Sequence, residues 1–410
     1  MHAQLTIEQC HALARENYPL IKQYGLIAQS SGYILENIKH SWLPQVNLSA
    51  QATYQNKVPE FPSQMQSILS TGGLEMKGLA KDQYRVQLDL NQKIFDGGKA
   101  SSETALAQAQ DLEQKAQADV DLYNLNKRID ELFFGVLLME DRIRQTDMTL
   151  EMLNGNLEKL QSHVRNGIAT TADESQLRAE IMTVEQNKTN MEWARESYRH
   201  MLEIFIGENL NGRYLVKPDA IEPATQVINR PELQLIDAKI NTIKAHEKAV
   251  NASVLPVISA FGQAFYGYPG YNTFESMVNR NWSLNAMVGV RAVWSLSSLY
   301  DRKNNLSKLS SSREQLKLQR DVFLLNNRLE VSRDNDEIAR LRQLIKSDGE
   351  IVSLRSDVRR AEESKLRNGV IDIHRLVERI TDENVASQNK IIHNIELLKT
   401  IYDLKNTVNQ

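Results

Sequence analysis

The sequence predicts a mainly α chain with a small β part: long antiparallel coiled-coil helical hairpins, four strands, and an internal duplication of the whole arrangement. Three observations predict it: the placement of the nine prolines, an unbroken 3-4 spacing of apolar residues, and paired landmarks at a constant separation.

The prolines lie at 19, 44, 59, 62, 218, 223, 231, 256 and 269, so 63–217 and 270–410 contain none. Proline in a helix interior costs roughly 3 kcal/mol, so these stretches permit long helices. The apolar pattern uses that freedom. Ile129, Leu132, Val136, Met139, Ile143, Thr146, Leu150, Leu153, Leu157, Leu160 and Val164 follow strict 3-4 alternation, apolar everywhere except Thr146. With Leu122, Leu125 and an alanine-rich stretch before them, they predict a helix over about 100–164, roughly 100 Å long, too long for a compact domain. After Arg165-Asn166-Gly167 the spacing resumes at Leu177, Ile181, Val184, Met191, Tyr198, Leu202 and Phe205, so the chain turns back antiparallel. The second half repeats this from about 301, with Ile338, Leu341, Ile345 and Val352, a break at Arg367-Asn368-Gly369, and a return through Ile391, Ile395, Leu398 and Tyr402.

Pro19 and Pro231 are 212 residues apart, as are Pro44 in Leu43-Pro44-Gln45-Val46 and Pro256 in Leu255-Pro256-Val257-Ile258. The repeats are placed at 1–215 and 216–410. Between each Leu-Pro landmark and its long helix the period changes to two. Val46, Leu48, Ala50, Ala52 and Tyr54 alternate with polar residues, and so do Tyr84, Val86, Leu88 and Leu90; the stretch 57–80 between them reads as a long hairpin loop. Trp282, Leu284, Ala286, Val288, Val290, Ala292 and Trp294 form a third alternating run. The run 257–266 alternates less clearly but ends in Phe265 and Tyr266. Tyr54, Tyr84, Phe265, Tyr266 and Trp282 are the candidate membrane-interface aromatics. Each strand has about the length a tilted barrel strand needs. Four strands cannot close a barrel, and their open edges imply oligomerisation.

Composition excludes other classes. Charged residues are 25%, the net charge is -3 and the mean hydropathy is -0.45, so no polybasic surface suggests nucleic acid. No window supplies the roughly 18 to 20 apolar residues of a spanning helix, and MHAQLTIEQC lacks the pattern of a signal segment, which a mature form would also lack. The single cysteine, Cys10, reads as a buried structural thiol and not a lipid anchor, and it excludes an intrachain disulfide. The eight histidines show no ligand spacing. Gly72-Gly73-Leu74-Glu75-Met76-Lys77-Gly78 lacks the ending of a phosphate loop. Neither metal, cofactor nor catalytic residues are expected; the chain is read as a non-enzyme.

The duplicated order of helix, two strands, very long helix, glycine turn and returning helix resembles the TolC-type outer membrane efflux protein family. The residues that carry it are Asn17-Tyr18-Pro19, Trp42-Leu43-Pro44-Gln45, Ile94-Phe95-Asp96-Gly97-Gly98-Lys99, and the turn from Val164 through Gly167 to Asp173. The resemblance implies a homotrimer in the outer membrane of a Gram-negative bacterium. Its 12-stranded β-barrel would take 43–96 and 255–300 of each chain, and its periplasmic α-barrel 1–42, 97–254 and 301–410. It implies passive exit for a tripartite efflux or type I secretion system. Its partners would be outer-membrane lipid, a periplasmic adaptor and an inner-membrane RND or ABC-type transporter. The adaptor-docking tips are expected at Arg165, Asn166, Gly167, Ile168, Arg367, Asn368, Gly369 and Val370, and the periplasmic gate at Asp173, Arg375 and Glu378. The second-half gate departs from the acidic pattern expected of the family, and a solvated helix face explains Arg375 and Glu378 equally well. A coiled-coil scaffold, soluble or peripheral, is the alternative; the four alternating segments argue against it.

Overall fold

Thr6 opens the first helix because its hydroxyl accepts from the Gln9 amide while the Gln9 side chain accepts from Thr6 N, satisfying two donors of an otherwise bare helix end. The structure, a computed structural model, describes residues 4–73, 78–224, 228–367 and 371–409. In chain order the elements are β1 (Gln4–Leu5), α1 (Ile7–Asn17), α2 (Gln23–His40), β2 (Gln45–Tyr54), α3 (Ser63–Thr71), β3 (Asp82–Phe95), α4 (Lys99–Arg165), α5 (Thr171–Ile206), β4 (Tyr214–Leu215), α6 (Pro231–Ser253), β5 (Val257–Tyr268), α7 (Thr273–Asn279), β6 (Ser283–Val293), α8 (Ser298–Arg367) and α9 (Ile373–Val408). The two long helices have 67 and 70 residues.

One sequence expectation needs correction. The stretch 57–80 is not a plain hairpin loop, because α3 lies within it. Pro62 precedes its first turn, and the hydroxyls of Ser67, Ser70 and Thr71 bond back to carbonyls three or four residues earlier, so a polar segment still forms a helix. The short parallel pair β1 and β4, joining Leu5 to Leu215, gave no periodic signal.

The chain forms two compact units, one from Met1–Gly25, Lys115–Ile236 and Lys317–Gln410, the other from Leu26–Gln114 and Asp237–Leu316. Each draws on both sequence repeats. In the first unit α4 supplies the core both from its heptad positions, such as Ile129, and from Phe133 and Phe134 between them. Ile129, Phe133 and Phe134 pack with Ile7 and Cys10 of α1, Leu202 and Ile206 of α5, and Leu398 and Tyr402 of α9. Cys10 is fully buried there, and burial pushes its thiol up to about 12. Farther along, Leu153 and Leu160 meet Leu177, Ile181, Leu376 and Ile380.

The seam of α8 is longer and more polar than the sequence suggests. Asn327, Val331, Asp334, Ile338, Leu341, Ile345, Asp348 and Val352 keep strict 4-3 spacing, and Asn327, Asp334 and Asp348 are buried. Each meets α9: Asn327 Nδ2 donates to the Thr407 carbonyl at 2.5 Å, Thr407 Oγ1 donates to Asp334 at 3.4 Å, and Asp348 lies 2.6 Å from His393 Nδ1. Asp130, fully buried on α4, lies 2.6 Å from His11 Nε2 and accepts from Asn406 Nδ2 at 2.5 Å.

In the second unit the motif Ile94-Phe95-Asp96-Gly97-Gly98-Lys99 is a strand-to-helix joint. Asp96 caps α4 by accepting from Gly98 N at 2.9 Å and Ala100 N at 2.7 Å. Gly97 has φ +69°, and a Cβ on it would sit 2.6 Å from Leu255 Cβ in the second Leu-Pro landmark, so both its conformation and its contact require glycine.

One half-buried acid, Asp403 on α9, makes stability depend on pH. Burial lifts Asp403 to about 6, aided by Asp130 and Asp334 and opposed by Lys399 and Lys127. The folded chain therefore keeps a proton that the unfolded chain releases near pH 3.9, so this group's contribution declines as pH rises from about 4 to about 6. Asp403→Asn is expected to raise the thermal midpoint by a few degrees at pH 7.5 and to change it little at pH 4. Equal shifts at both pH values in thermal melts would refute this account.

Candidate functional site

Two regions hold the residues singled out by sequence: the four-stranded sheet in one unit and the helical-hairpin tips in the other.

The sheet has the order β2-β3-β5-β6, each neighbour antiparallel. Register sorts its side chains. Leu48, Leu88, Ala264 and Ala286 lie in one row, and Val46, Leu90, Gly262 and Val288 in another, on one face. Asn47, Asp89, Gln263 and Met287, with Gln51, Arg85, Gly267 and Ser283, occupy the other face. On β3 the exposure alternation is the reverse of a soluble sheet's, while β2 is exposed on both faces along most of its length. Leu48 is 74% exposed, Leu284 77% and Val288 84%, whereas Arg85, Gln87 and Asp89 are half-buried. Among the described residues, β2 and β6 each have a strand neighbour on one side only.

Tyr84, Tyr266 and Trp282 form an aromatic cluster at the hairpin-loop end, with ring centroids 6.0 Å apart for Tyr84–Trp282 and 5.4 Å for Tyr266–Trp282. Tyr54 is exposed beside them, paired with Asp82. Phe265 differs from these four. Being one residue from Tyr266, it points to the polar face, where it is buried edge-on against Tyr271 at 5.0 Å. Counting strand parity from Tyr266 would have separated it.

At the first tip α4 ends in a glycine reversal. Gly167, at φ +72°, donates from its N–H to the Val164 carbonyl at 3.0 Å, and Ile168 N donates to the His163 carbonyl at 2.9 Å. That pair of bonds is a Schellman motif, which satisfies the last carbonyls and favours glycine at this position. Arg165 ends the helix, Asn166 N bonds back to Ser162, and Ile168 is exposed. At the second tip Arg367 ends α8 and Asp372 caps α9 by accepting from Arg375 N at 3.0 Å; Asn368, Gly369 and Val370 lie outside the described residues. A cavity of about 540 Å³ joins the two tips, lined by Leu160, His163, Ile168, Asp173, Leu366 and Arg367 among others.

The three gate candidates each have a partner within their own hairpin. Asp173 completes a capping box: its carboxylate accepts from Thr170 N at 2.9 Å and Thr170 Oγ1 at 2.7 Å, and the Thr170 side chain holds its pKa below the usual aspartate range. Arg375 lies 3.8 Å from Glu362, which also receives a bond from Lys365 at 2.9 Å. Glu378 pairs with Arg379 at 3.1 Å. Sequence reading missed the charges that brace this hairpin: Asp382 bridges Arg355 and Arg379, each at 2.8 Å, and Arg359 joins Glu383 and Glu363. Their i,i+3 and i,i+4 spacing was visible, but the cross-helix pairing was not.

Among the described residues no group of three or more His, Cys, Asp or Glu could hold a metal ion, and no helix is long and apolar enough to cross a membrane.

Residues 14–208 match the family described as outer membrane efflux protein. Solved structures of similar fold include the outer membrane protein VceC of Vibrio cholerae, at 11% identity and a TM-score of 0.71, over 98% of this chain and 95% of that one. A membrane protein of Pseudomonas aeruginosa is similar at 14% identity and a TM-score of 0.72, over 98% and 90%. The Campylobacter jejuni CmeC outer membrane channel follows at 12% and 0.69, over 98% and 85%. An uncharacterized protein of Haemophilus influenzae is 24% identical over 229 residues, 52% of this chain and 49% of that protein, so the match spans about half the relative's length. The family is one of non-catalytic transport proteins. Residues 14–208 therefore carry the pattern of the outer membrane efflux protein family, and nearly the whole chain shares the fold of the solved outer-membrane proteins named above.

Proposed function

We propose that the chain is one protomer of a homotrimeric outer-membrane duct, giving passive exit to substrates of a tripartite efflux or type I secretion system. The observation that carries this is the inverted sheet. Apolar side chains on its exposed face are stabilised by lipid and not by water, while the polar face suits an aqueous lumen. Its edges support one way for copies to join. Four strands of alternating direction leave β2 and β6 antiparallel, so β6 of one copy extends onto β2 of the next, and three copies give twelve strands with no free edge. Tyr54, Tyr84, Tyr266 and Trp282 then form an aromatic belt at one membrane interface.

The helical unit supports association independently. On α8, Leu318, Val322, Leu325 and Leu329 keep 4-3-4 spacing and are exposed, as are Ile351, Leu354 and Val358. Such stripes are the seams a helix of another copy would cover. The tips at Arg165, Asn166, Gly167 and Ile168, and at Arg367, Asn368, Gly369 and Val370, dock a periplasmic adaptor serving an RND or ABC-type transporter. Asp173, Arg375 and Glu378 line the periplasmic gate.

Detergent-extracted protein is expected to have the mass of three 46.8 kDa chains and to show threefold end views in negative stain. A monodisperse monomer stable without detergent would instead favour the scaffold reading. Arg165→Glu with Arg367→Glu is expected to abolish adaptor capture in a pull-down while leaving the trimer intact; undiminished capture removes the docking assignment. Thr170→Ala, which breaks the capping box, should weaken the first tip by about 1 kcal/mol. Hydrogen exchange at the start of α5 would then speed up about five-fold, and unchanged exchange would show that the cap does not hold the tip.

A further inference from the structure

The polar face of the sheet carries a charge arrangement that the duct reading does not itself require. Its charged residues are Arg85, Lys93 and Arg291 against the single carboxylate of Asp89, a net of two positive charges per chain. Asp89 is muffled: Gln87 Nε2 reaches both its oxygens at 2.8 Å and Gln263 Nε2 reaches one at 2.8 Å. The arginines are not. Among the described residues neither Arg85 nor Arg291 forms an ion pair, and the side-chain partner of Arg85 is the neutral Gln87 Oε1 at 3.4 Å.

Both guanidiniums are held by aromatic rings instead of carboxylates. Arg85 lies 4.0 Å from the Phe265 ring centroid, and Arg291 lies 4.7 Å from that of Phe261. This explains the two phenylalanines on a polar face. Phe265 is braced by Tyr271, and Phe261 lies on the bare backbone of Gly289, where a Cβ would come within 2.8 Å of the ring. A ring fixes the direction of a guanidinium without neutralising it, so the charge stays available to a passing solute. Register puts Arg85 level with Gly267 and Arg291 level with Ser259, eight residues apart along β5. That is roughly 27 Å at 3.4 Å per residue, so the two cationic levels stand near opposite ends of the strands.

We propose that the polar face forms an anion-preferring passage in which Arg85 and Arg291 are the specificity-determining residues, suited to solutes bearing carboxylate, sulfonate or phosphate groups. The inference rests on the duct reading, because only closure of the sheet turns this face into a lumen with three copies of each arginine. Rings of arginine and lysine select anions by raising their local concentration.

The test places a cysteine at Gln51, which pairs with Arg85 on the polar face, and separately at Leu48 on the apolar face, with buried Cys10 replaced by alanine. Each protein is reconstituted in lipid and treated with a sulfonate-bearing or a trimethylammonium-bearing methanethiosulfonate. Rates are referred to a free model thiol. Gln51→Cys is expected to react with a sulfonate-to-ammonium rate ratio about ten-fold above the model thiol, shrinking at 1 M salt, while Leu48→Cys is protected by lipid. Arg85→Gln with Arg291→Gln should bring the ratio back towards that of the model thiol, and the charge-keeping Arg85→Lys with Arg291→Lys should retain it. A ratio at or below that of the model thiol, or one insensitive to the glutamine substitutions, overturns the anion preference and leaves the duct standing. Reaction at Leu48→Cys with none at Gln51→Cys overturns the duct reading and this inference with it.

Discussion

A sheet with exposed apolar side chains, half-buried polar ones and unpaired outer strands cannot be satisfied by the chain that forms it. Every other feature of the strand-bearing unit follows from that constraint. The strands are 10 to 14 residues long, about the span of a tilted barrel strand. Their alternating directions allow a second copy to continue the ladder. The joint at Asp96-Gly97-Gly98 changes strand to helix within three residues, and its buried cap satisfies the first amides of α4 where strand hydrogen bonding stops.

Much of this was legible because it is periodic. The boundaries of α4 follow from the proline-free stretch, the 3-4 spacing and the glycine that ends it, and the strands β2 and β3 from period-two alternation. Features without a period were not legible. The two-residue strands β1 and β4 pair Leu5 with Leu215 across more than 200 residues, and nothing local in either segment requires it. The helix α3 contradicts its loop-like context because serine and threonine hydroxyls can cap their own helix carbonyls as readily as they favour turns.

At the candidate sites the difficulty was different. Phe265 was grouped with Tyr266 because aromatics near a strand end suggest a membrane interface, but adjacent strand residues point to opposite faces, and Arg85 recruits Phe265 to the polar one. Asp173 is expected at the gate from the family resemblance. The same sequence, Thr170-Thr171-Ala172-Asp173, is also the first turn of a capped helix, and the carboxylate makes those bonds in the structure. Three tip residues of the second hairpin, Asn368, Gly369 and Val370, lie outside the described residues, so only Arg367 and Asp372 frame that turn.

The polar residues within the helical seams impose a second constraint. A purely apolar heptad repeat of 70 residues, such as α8 would be, can slide by seven residues at little cost, and a duplicated chain has two similar long helices that could exchange partners. Here α9 meets each of them through different polar pairs. Towards α4, Gln388 Nε2 donates to Thr146 at 3.2 Å and Thr149 donates to Asn384 at 2.9 Å. Towards α8, Asp348 meets His393 and Asn327 meets Thr407. A slide of α9 by one heptad would put Ala386 or Thr400 where His393 stands. Asp348 would then be buried without its partner, at a cost of several kcal/mol. Thr146, the one break in the apolar pattern of α4, therefore belongs with these pairs: together they fix both the register of the helices and the identity of their neighbours.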